Sequence, residues 1–165
     1  MIAALDVQYD DPKLSALAAA VVFDRWDSPG QIADYTESCV DIRPYQPGEF
    51  YRRELPCLLQ ILKRVPEPLD TIIIDGYVTL GERPGLGFRL WEALGRATPI
   101  VGVAKTWFHD ADARVVTRGE SRAPLYITAV GLDAAAVAEH VRTMHGEFRI
   151  PTHLKRVDQL ARGGR

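Results

Sequence analysis

The segment Thr71-Ile72-Ile73-Ile74-Asp75 restricts the fold of this 165-residue chain more than any other. Four β-branched residues in succession favour extended backbone, and a run without polar alternation suits a strand covered on both faces. Such a strand lies inside a sheet with helices above and below, and helical crossovers make its neighbours parallel. The run ends on a carboxylate followed by Gly76. An acid at the end of a buried strand is unfavourable unless it is paired, protonated or bound to a metal. Asp75-Gly76 is also an ordinary turn dipeptide, so for this acid alone both readings stand.

The remaining segments arrange themselves around that strand. Residues 2–9 form an apolar run interrupted by Asp6 and ended by Asp10-Asp11-Pro12, which reads as a buried strand. Residues 14–26 and 31–42, joined by the turn signal Asp27-Ser28-Pro29-Gly30, add two more strands and predict an antiparallel meander. Apolar residues at near-helical spacing over 48–65 predict a helix, in which Pro56 implies a kink or a start just before it. A second helix is expected over 85–94, a buried strand over 99–103, and strands over 114–117 and 125–129. Asp133 is placed to cap an alanine-rich helix through about residue 144, and a last helix covers about 154–162. No repeat, linker or low-complexity tract divides the chain, so one mixed α/β domain over residues 1–165 is expected, with helices on both faces of one sheet.

Composition excludes several classes. With 47% hydrophobic and 25% charged residues the chain is ordinary for one globular domain. No apolar run approaches the ~20 residues needed to span a bilayer. Cys39 and Cys57 are too few and too far apart for a disulfide framework or a cysteine zinc site. Residues 1–6 lack the basic start of a signal peptide, and a reducing cytoplasm with no membrane partner is expected. The net charge of −2 conceals an asymmetry: residues 1–50 carry nine acids and three bases, whereas 141–165 carry six bases and two acids. A basic tail of this kind serves equally as a polyanion contact or as a solvated helix face.

Asp6 and Asp75 both stand where a strand should be apolar. Two such acids on adjacent strand ends would bring together hard oxygen ligands suited to Mg²⁺ or Mn²⁺. Glu54, near a helix start, reads by itself as a solvated acid. Lys105 follows the buried strand in Gly102-Val103-Ala104-Lys105, where it could hold a phosphate oxygen or sit in solvent. Asp158 is spaced to pair with Lys155 or Arg162 on its own helix. Of the histidines, His153 reads as a solvent-facing residue at a helix start rather than as a ligand.

These segments, taken in order, resemble the endonuclease V family, nucleases acting on nucleic acids that contain deaminated adenine. The resemblance rests on Asp6-Val7, Pro44-Tyr45-Gln46-Pro47-Gly48 with Arg53-Glu54, Ile74-Asp75-Gly76 and Gly102-Val103-Ala104-Lys105. Pro124-Leu125-Tyr126-Ile127 and Arg149-Ile150-Pro151 extend it over nearly the whole chain. It implies an RNase H-like fold with a mixed five-stranded sheet. It implies metal ligands at Asp6, Glu54, Asp75 and Asp158, a catalytic lysine at Lys105, and Mg²⁺ as the cofactor, with Mn²⁺ able to substitute. Tyr45 corresponds to an aromatic wedge at the lesion. Gly48 and Gly76 correspond to backbone lining a pocket for the flipped base, with Pro47, Arg53 and Arg83 also assigned to substrate. The implied substrate is inosine-containing DNA or RNA.

The chain also departs from the family pattern. The first strand begins at residue 2 without a preceding helical segment. Tyr77-Val78-Thr79-Leu80-Gly81-Glu82-Arg83-Pro84 replaces the usual Gly and His-Pro-Arg, and Gly131-Leu132 replaces a Gly-His. A non-catalytic binding domain derived from the nuclease, or a nuclease of altered substrate, are the alternatives these departures suggest.

Overall fold

The computed structural model describes residues 1–40 and 42–164. Three strands open the chain: β1 (Ile2–Asp10), β2 (Ser15–Phe23) and β3 (Ala33–Val40). They form the expected meander, with β1 paired antiparallel to β2 from Ile2↔Phe23 to Asp10↔Ser15, and β2 antiparallel to β3. Helix α1 (Phe50–Leu62) leads to β4 (Thr71–Asp75), and α2 (Leu86–Ala93) leads to β7 (Ile100–Ala104). Between β4 and α2 lies a small hairpin of β5 (Thr79–Leu80) and β6 (Arg83–Pro84). Strands β8 (Arg114–Val116) and β9 (Leu125–Val130) follow, then α3 (Ala134–Thr143) and α4 (Thr152–Ala161).

The main sheet runs β3-β2-β1-β4-β7-β9-β8. It holds seven strands, not the five that the family resemblance implied. Strands β9 and β8 complete the edge beyond β7, paired antiparallel to each other and, through β9, to β7. The crossovers through α1 and α2 make β1–β4 and β4–β7 parallel, as the unbroken apolar run of β4 requires.

Each face of the sheet packs a separate core. Ile2, Ala4, Ile73, Val101 and Val103 meet Val137 and Val141 of α3 and Val157 and Leu160 of α4. Ala3, Leu5, Ile72 and Ile74 meet Cys57, Leu58 and Ile61 of α1 and Leu86 and Leu90 of α2. The Asp133 side chain accepts from the Ala136 N–H at 2.9 Å, the cap expected of it.

Of the two effects expected of Pro56, a helix starting just before it does not occur, because α1 begins six residues earlier and continues beyond it. Pro56 and Arg52, four residues apart, both lie on the exposed side of the helix. The Arg52 carbonyl, which loses its intrahelical donor there, belongs to this exposed side. Among the described residues no helix is long and apolar enough to cross a membrane.

Candidate active site

Strand periodicity brings the acids together. Asp6 continues the series Ile2, Ala4 on β1, and Asp75 continues Ile73 on β4, so both face α4. In the parallel ladder Leu5 pairs with Ile74, which puts the two acids at successive positions on neighbouring strands. Helix α4 presents Asp158 one residue after the buried Val157, and β7 delivers Lys105 just past its end. Asp6, Asp75, Lys105 and Asp158 line one hollow of about 20 Å³, closed by Ile150, Leu154 and Val157. That volume admits a single water-sized occupant.

Glu54 arrives from the other side of the sheet. It lies on α1, the helix of the opposite core, and is 5% exposed, as is Asp6. Burial raises the Glu54 carboxyl well above its ordinary pKa, and the charges of Asp6 and Asp75 raise it further against the opposing effect of Arg53. Asp6 is held at about 6, first by burial and then by Asp75, while the Val7 N–H, donating to its Oδ1 at 2.8 Å, works the other way. Mutual repulsion of this kind occurs only where carboxylates are neighbours in a medium of low dielectric.

Cations already answer two of these acids. Lys105 Nζ donates to Asp75 Oδ2 at 3.0 Å, and Arg162 Nε donates to Asp158 Oδ2 at 3.0 Å. The latter is one of the two helical pairs expected of Asp158. Among the described residues no three His, Cys, Asp or Glu side chains stand in ready coordination geometry. The donor set nevertheless fits a hard divalent cation: every donor is a carboxylate oxygen, and Glu54 Oε2 is buried without a partner.

A second cleft, of about 370 Å³, adjoins the first and shares Asp75 with it. Gly48, from the approach to α1, and Gly76 and Arg83, from the β4–α2 connection, all line it together with Phe50, Tyr51 and Tyr77. Gly76 has φ 128°, a conformation that favours glycine. The turn it begins lies so close to β7 that a Cβ on Gly102 would meet the Gly76 carbonyl oxygen at 2.4 Å. Thr128 on β9 fixes the same turn by accepting from the Val78 N–H at 2.8 Å.

A family model described as Endonuclease V matches residues 1–158. The chain belongs to the endonuclease V family. The Streptomyces coelicolor endonuclease V is 30% identical over 188 residues, covering 98% of this chain and 77% of that protein. The crystal structure of the Streptomyces avermitilis endonuclease V superposes with a TM-score of 0.79 at 27% identity, covering 98% of this chain and 79% of that one. The fold, though not the sequence, also matches the Ciona intestinalis endonuclease V, solved in complex with a 24mer DNA containing an inosine followed by a ribo-adenosine. There the TM-score is 0.78 at 17% identity, covering 98% of this chain and 84% of that one. The RNase H-like layout expected from the resemblance is therefore present, as is membership of a nuclease family.

The other residues assigned from the endonuclease V pattern are spread more widely. Tyr45 is 59% exposed and meets the edge of Phe50 with ring centroids 6.4 Å apart, at the margin of the second cleft. Pro47 is exposed beside it. Arg53, in contrast, is buried: its guanidinium lies 3.7 Å over the Tyr9 ring, with Nη1 2.7 Å from Asp11 Oδ1. Its solvent access is through a hollow shared with Arg43, Gln46 and Arg52.

His153 corrects the expectation of a solvent-facing side chain. It is 1% exposed, stacked on Phe23 at 4.3 Å, with Nε2 donating to the Ser28 carbonyl at 2.8 Å. The start of α4 is sunk against the β2–β3 turn, a tertiary contact without local signal. Two arginines take structural roles that no sequence signal assigned, although Arg149 belongs to one of the segments that carry the resemblance. Arg149 donates to the carbonyls of Lys105 at 2.6 Å and Pro124 at 2.9 Å. Arg118 donates to those of Met144, Gly146 and Phe148 at 2.6–2.8 Å, holding the connection into α4.

Proposed function

We propose that this chain is a Mg²⁺-dependent endonuclease, with Mn²⁺ able to substitute, that hydrolyses a phosphodiester bond near inosine in DNA or RNA and acts as one domain. The observation that carries the reading is the meeting of Asp6, Asp75, Asp158 and Lys105 in one hollow, with Glu54 reaching the same carboxylates from the opposite core. Two free cysteines, both buried, accord with a cytoplasmic enzyme.

The four acids would hold the metal, which when bound supplies an activated water and neutralises charge on the phosphate. Lys105, two-fifths exposed beside Asp75, is placed to give an ammonium to a phosphate oxygen at the mouth of the hollow. A base carrying a lesion must leave the stack to be read, and a mispaired one leaves most readily. The cleft of Gly48, Gly76 and Arg83 would receive it, with backbone amides approaching its edge where no side chain intervenes. Tyr45, exposed at the margin, would fill the gap it leaves.

The test compares cleavage of matched oligonucleotides with and without one inosine, in Mg²⁺, Mn²⁺ or EDTA, by wild type, Asp6→Asn and Asp75→Asn. Cutting confined to the inosine strands, dependent on metal and lost in both variants, is expected. Equal cutting by wild type and variants would remove these acids from the chemistry. Metal-dependent cutting without preference for inosine would leave a nuclease of altered substrate.

A further inference from the structure

Trp107 lies two residues beyond Lys105 and is 64% exposed, whereas Trp26 and Trp91 pack against the two cores. A single exposed apolar side chain is ordinary, but tryptophan is enriched where proteins contact partners, and this one stands on a well-held segment beside the acids of the site. The segment is indeed held. Arg149 donates to the Lys105 carbonyl, and Tyr77 Oη donates to the Thr106 carbonyl at 2.6 Å. Phe108 leans on Tyr77 with centroids 6.1 Å apart, and His109 flanks both Phe108 and Trp107. At its far end the segment lies against the β5–β6 hairpin, where a Cβ on Gly81 would come within 2.7 Å of the Asp110 carbonyl oxygen.

The loops leaving β4 and β7 are thus stitched together just past Asp75 and Lys105. The indole stands on the loop that Lys105 begins, and Lys105 is 3.0 Å from Asp75. Lys105 begins this loop and Arg149 is bonded to the Lys105 carbonyl, so the end of the loop nearer Asp75 is cationic, while Asp110 closes the far end. A partner lying between the active-site hollow and Trp107 offers an anion at one end and a flat apolar face at the other. An unpaired base on its phosphodiester strand has both. Because the loop that carries the indole is anchored beforehand, little backbone freedom is lost when a base settles on it.

We propose that Trp107 is a stacking platform for an unpaired base of the bound strand, on a nucleotide flanking the scissile phosphate and outside the Gly76 cleft. This rests on the nuclease reading above and adds a substrate preference: the strand is bound best where the flanking base is free to stack, in single-stranded or locally opened nucleic acid.

The experiment is a titration of the full chain with a fluorescein-labelled 24-nucleotide single strand carrying one inosine, with Ca²⁺ replacing Mg²⁺. Affinity is followed by anisotropy and stacking by tryptophan fluorescence. Wild type binds with quenching of its emission. Trp107→Ala binds about 5- to 150-fold more weakly, with the dependence of log affinity on log salt unchanged because no phosphate contact is lost. Trp107→Phe recovers most of the affinity without the quench. Binding by Trp107→Ala equal to wild type, or a quench that persists in Trp107→Phe, overturns the platform while leaving the nuclease reading intact. A wild type that binds no strand at any salt overturns the reading beneath it, and the platform with it. Circular dichroism of each variant secures the comparison, since an exposed side chain is being replaced.

Discussion

Replacing Asp6 by Asn separates the stability of this site from its chemistry. The Asp6 carboxyl has a pKa of about 6 where its ordinary value is 3.8, chiefly through burial and then through the neighbouring Asp75. At 5% exposure little of that is screened by solvent. A displacement of about two units corresponds to about 3 kcal/mol by which the ionised folded state is penalised. Below pH 3.8 the group is protonated in both states. Between 3.8 and 6 the folded protein keeps a proton that the unfolded chain has released, so stability falls as pH rises through this window and levels off above it. Asparagine keeps the oxygen that accepts from Val7 and offers a donor to the surrounding carboxylates. Asp6→Asn is therefore expected to be more stable than wild type at pH 8 in EDTA, by up to about 3 kcal/mol. At about 2–4 °C per kcal/mol for a chain of this size, the melting temperature rises by up to about 6–12 °C. The gain vanishes near pH 4. Urea and thermal unfolding at the two pH values measure it, and cleavage assays on the same preparations returned to Mg²⁺ show the activity lost. A variant no more stable than wild type at pH 8, or one whose gain is equal at both pH values, would refute the picture of crowded, repelling carboxylates.

Other perturbations test other parts of the architecture. Lys105→Met is expected to lower single-turnover cleavage by about 10²–10³ while leaving the melting temperature nearly unchanged, because the ammonium faces developing charge rather than the core; a rate close to wild type would dismiss it from the chemistry. His153, buried and bonded to the Ser28 carbonyl, has its pKa held below 6.5 by burial, so it contributes stability that is lost as pH falls below that value. The pH profile of unfolding for wild type should lose this acid-side decline in His153→Gln, and identical profiles would count against it. Arg118→Lys, which cannot reproduce three short bonds to the carbonyls of Met144, Gly146 and Phe148, should destabilise by about 2–4 kcal/mol in urea unfolding. A change within error would mean that the connection into α4 is held by other contacts.

Where sequence reading succeeded, the signal was local or periodic. Ile72, Ile73 and Ile74 read as a central strand because no face of such a run can be left to water, and Asp133 read as a cap because a short acceptor precedes an alanine-rich helix. All seven strands of the main sheet are visible as separate segments in the sequence; the count of five came from the family resemblance, not from the residues. The β5–β6 hairpin escaped because two-residue strands are too short to display a period. The acids of the site divide in the same way. Asp6 is conspicuous because it interrupts an apolar strand and Asp75 because it ends one, whereas Glu54 and Asp158 sit at ordinary helical positions, and their proximity exists only once two helices are laid on opposite faces of the sheet.

The least legible features are those in which a side chain binds backbone far away in sequence. Arg118, Arg149 and His153 all bind carbonyls 25 or more residues distant, and a carbonyl looks the same at every residue. No spacing could announce such a contact. Yet these three determine where the site stands: His153 seats the start of α4, Arg118 holds the loop that enters it, and Arg149 ties that loop to Lys105. Val157 and Leu160 pack α4 on the sheet, and these three residues bind the start of that helix and the loop before it, on the approach to Asp158. Asp6 and Asp75 are announced by being out of place in their own strands, and the contacts that aim α4 at them are silent because their partners carry no identity.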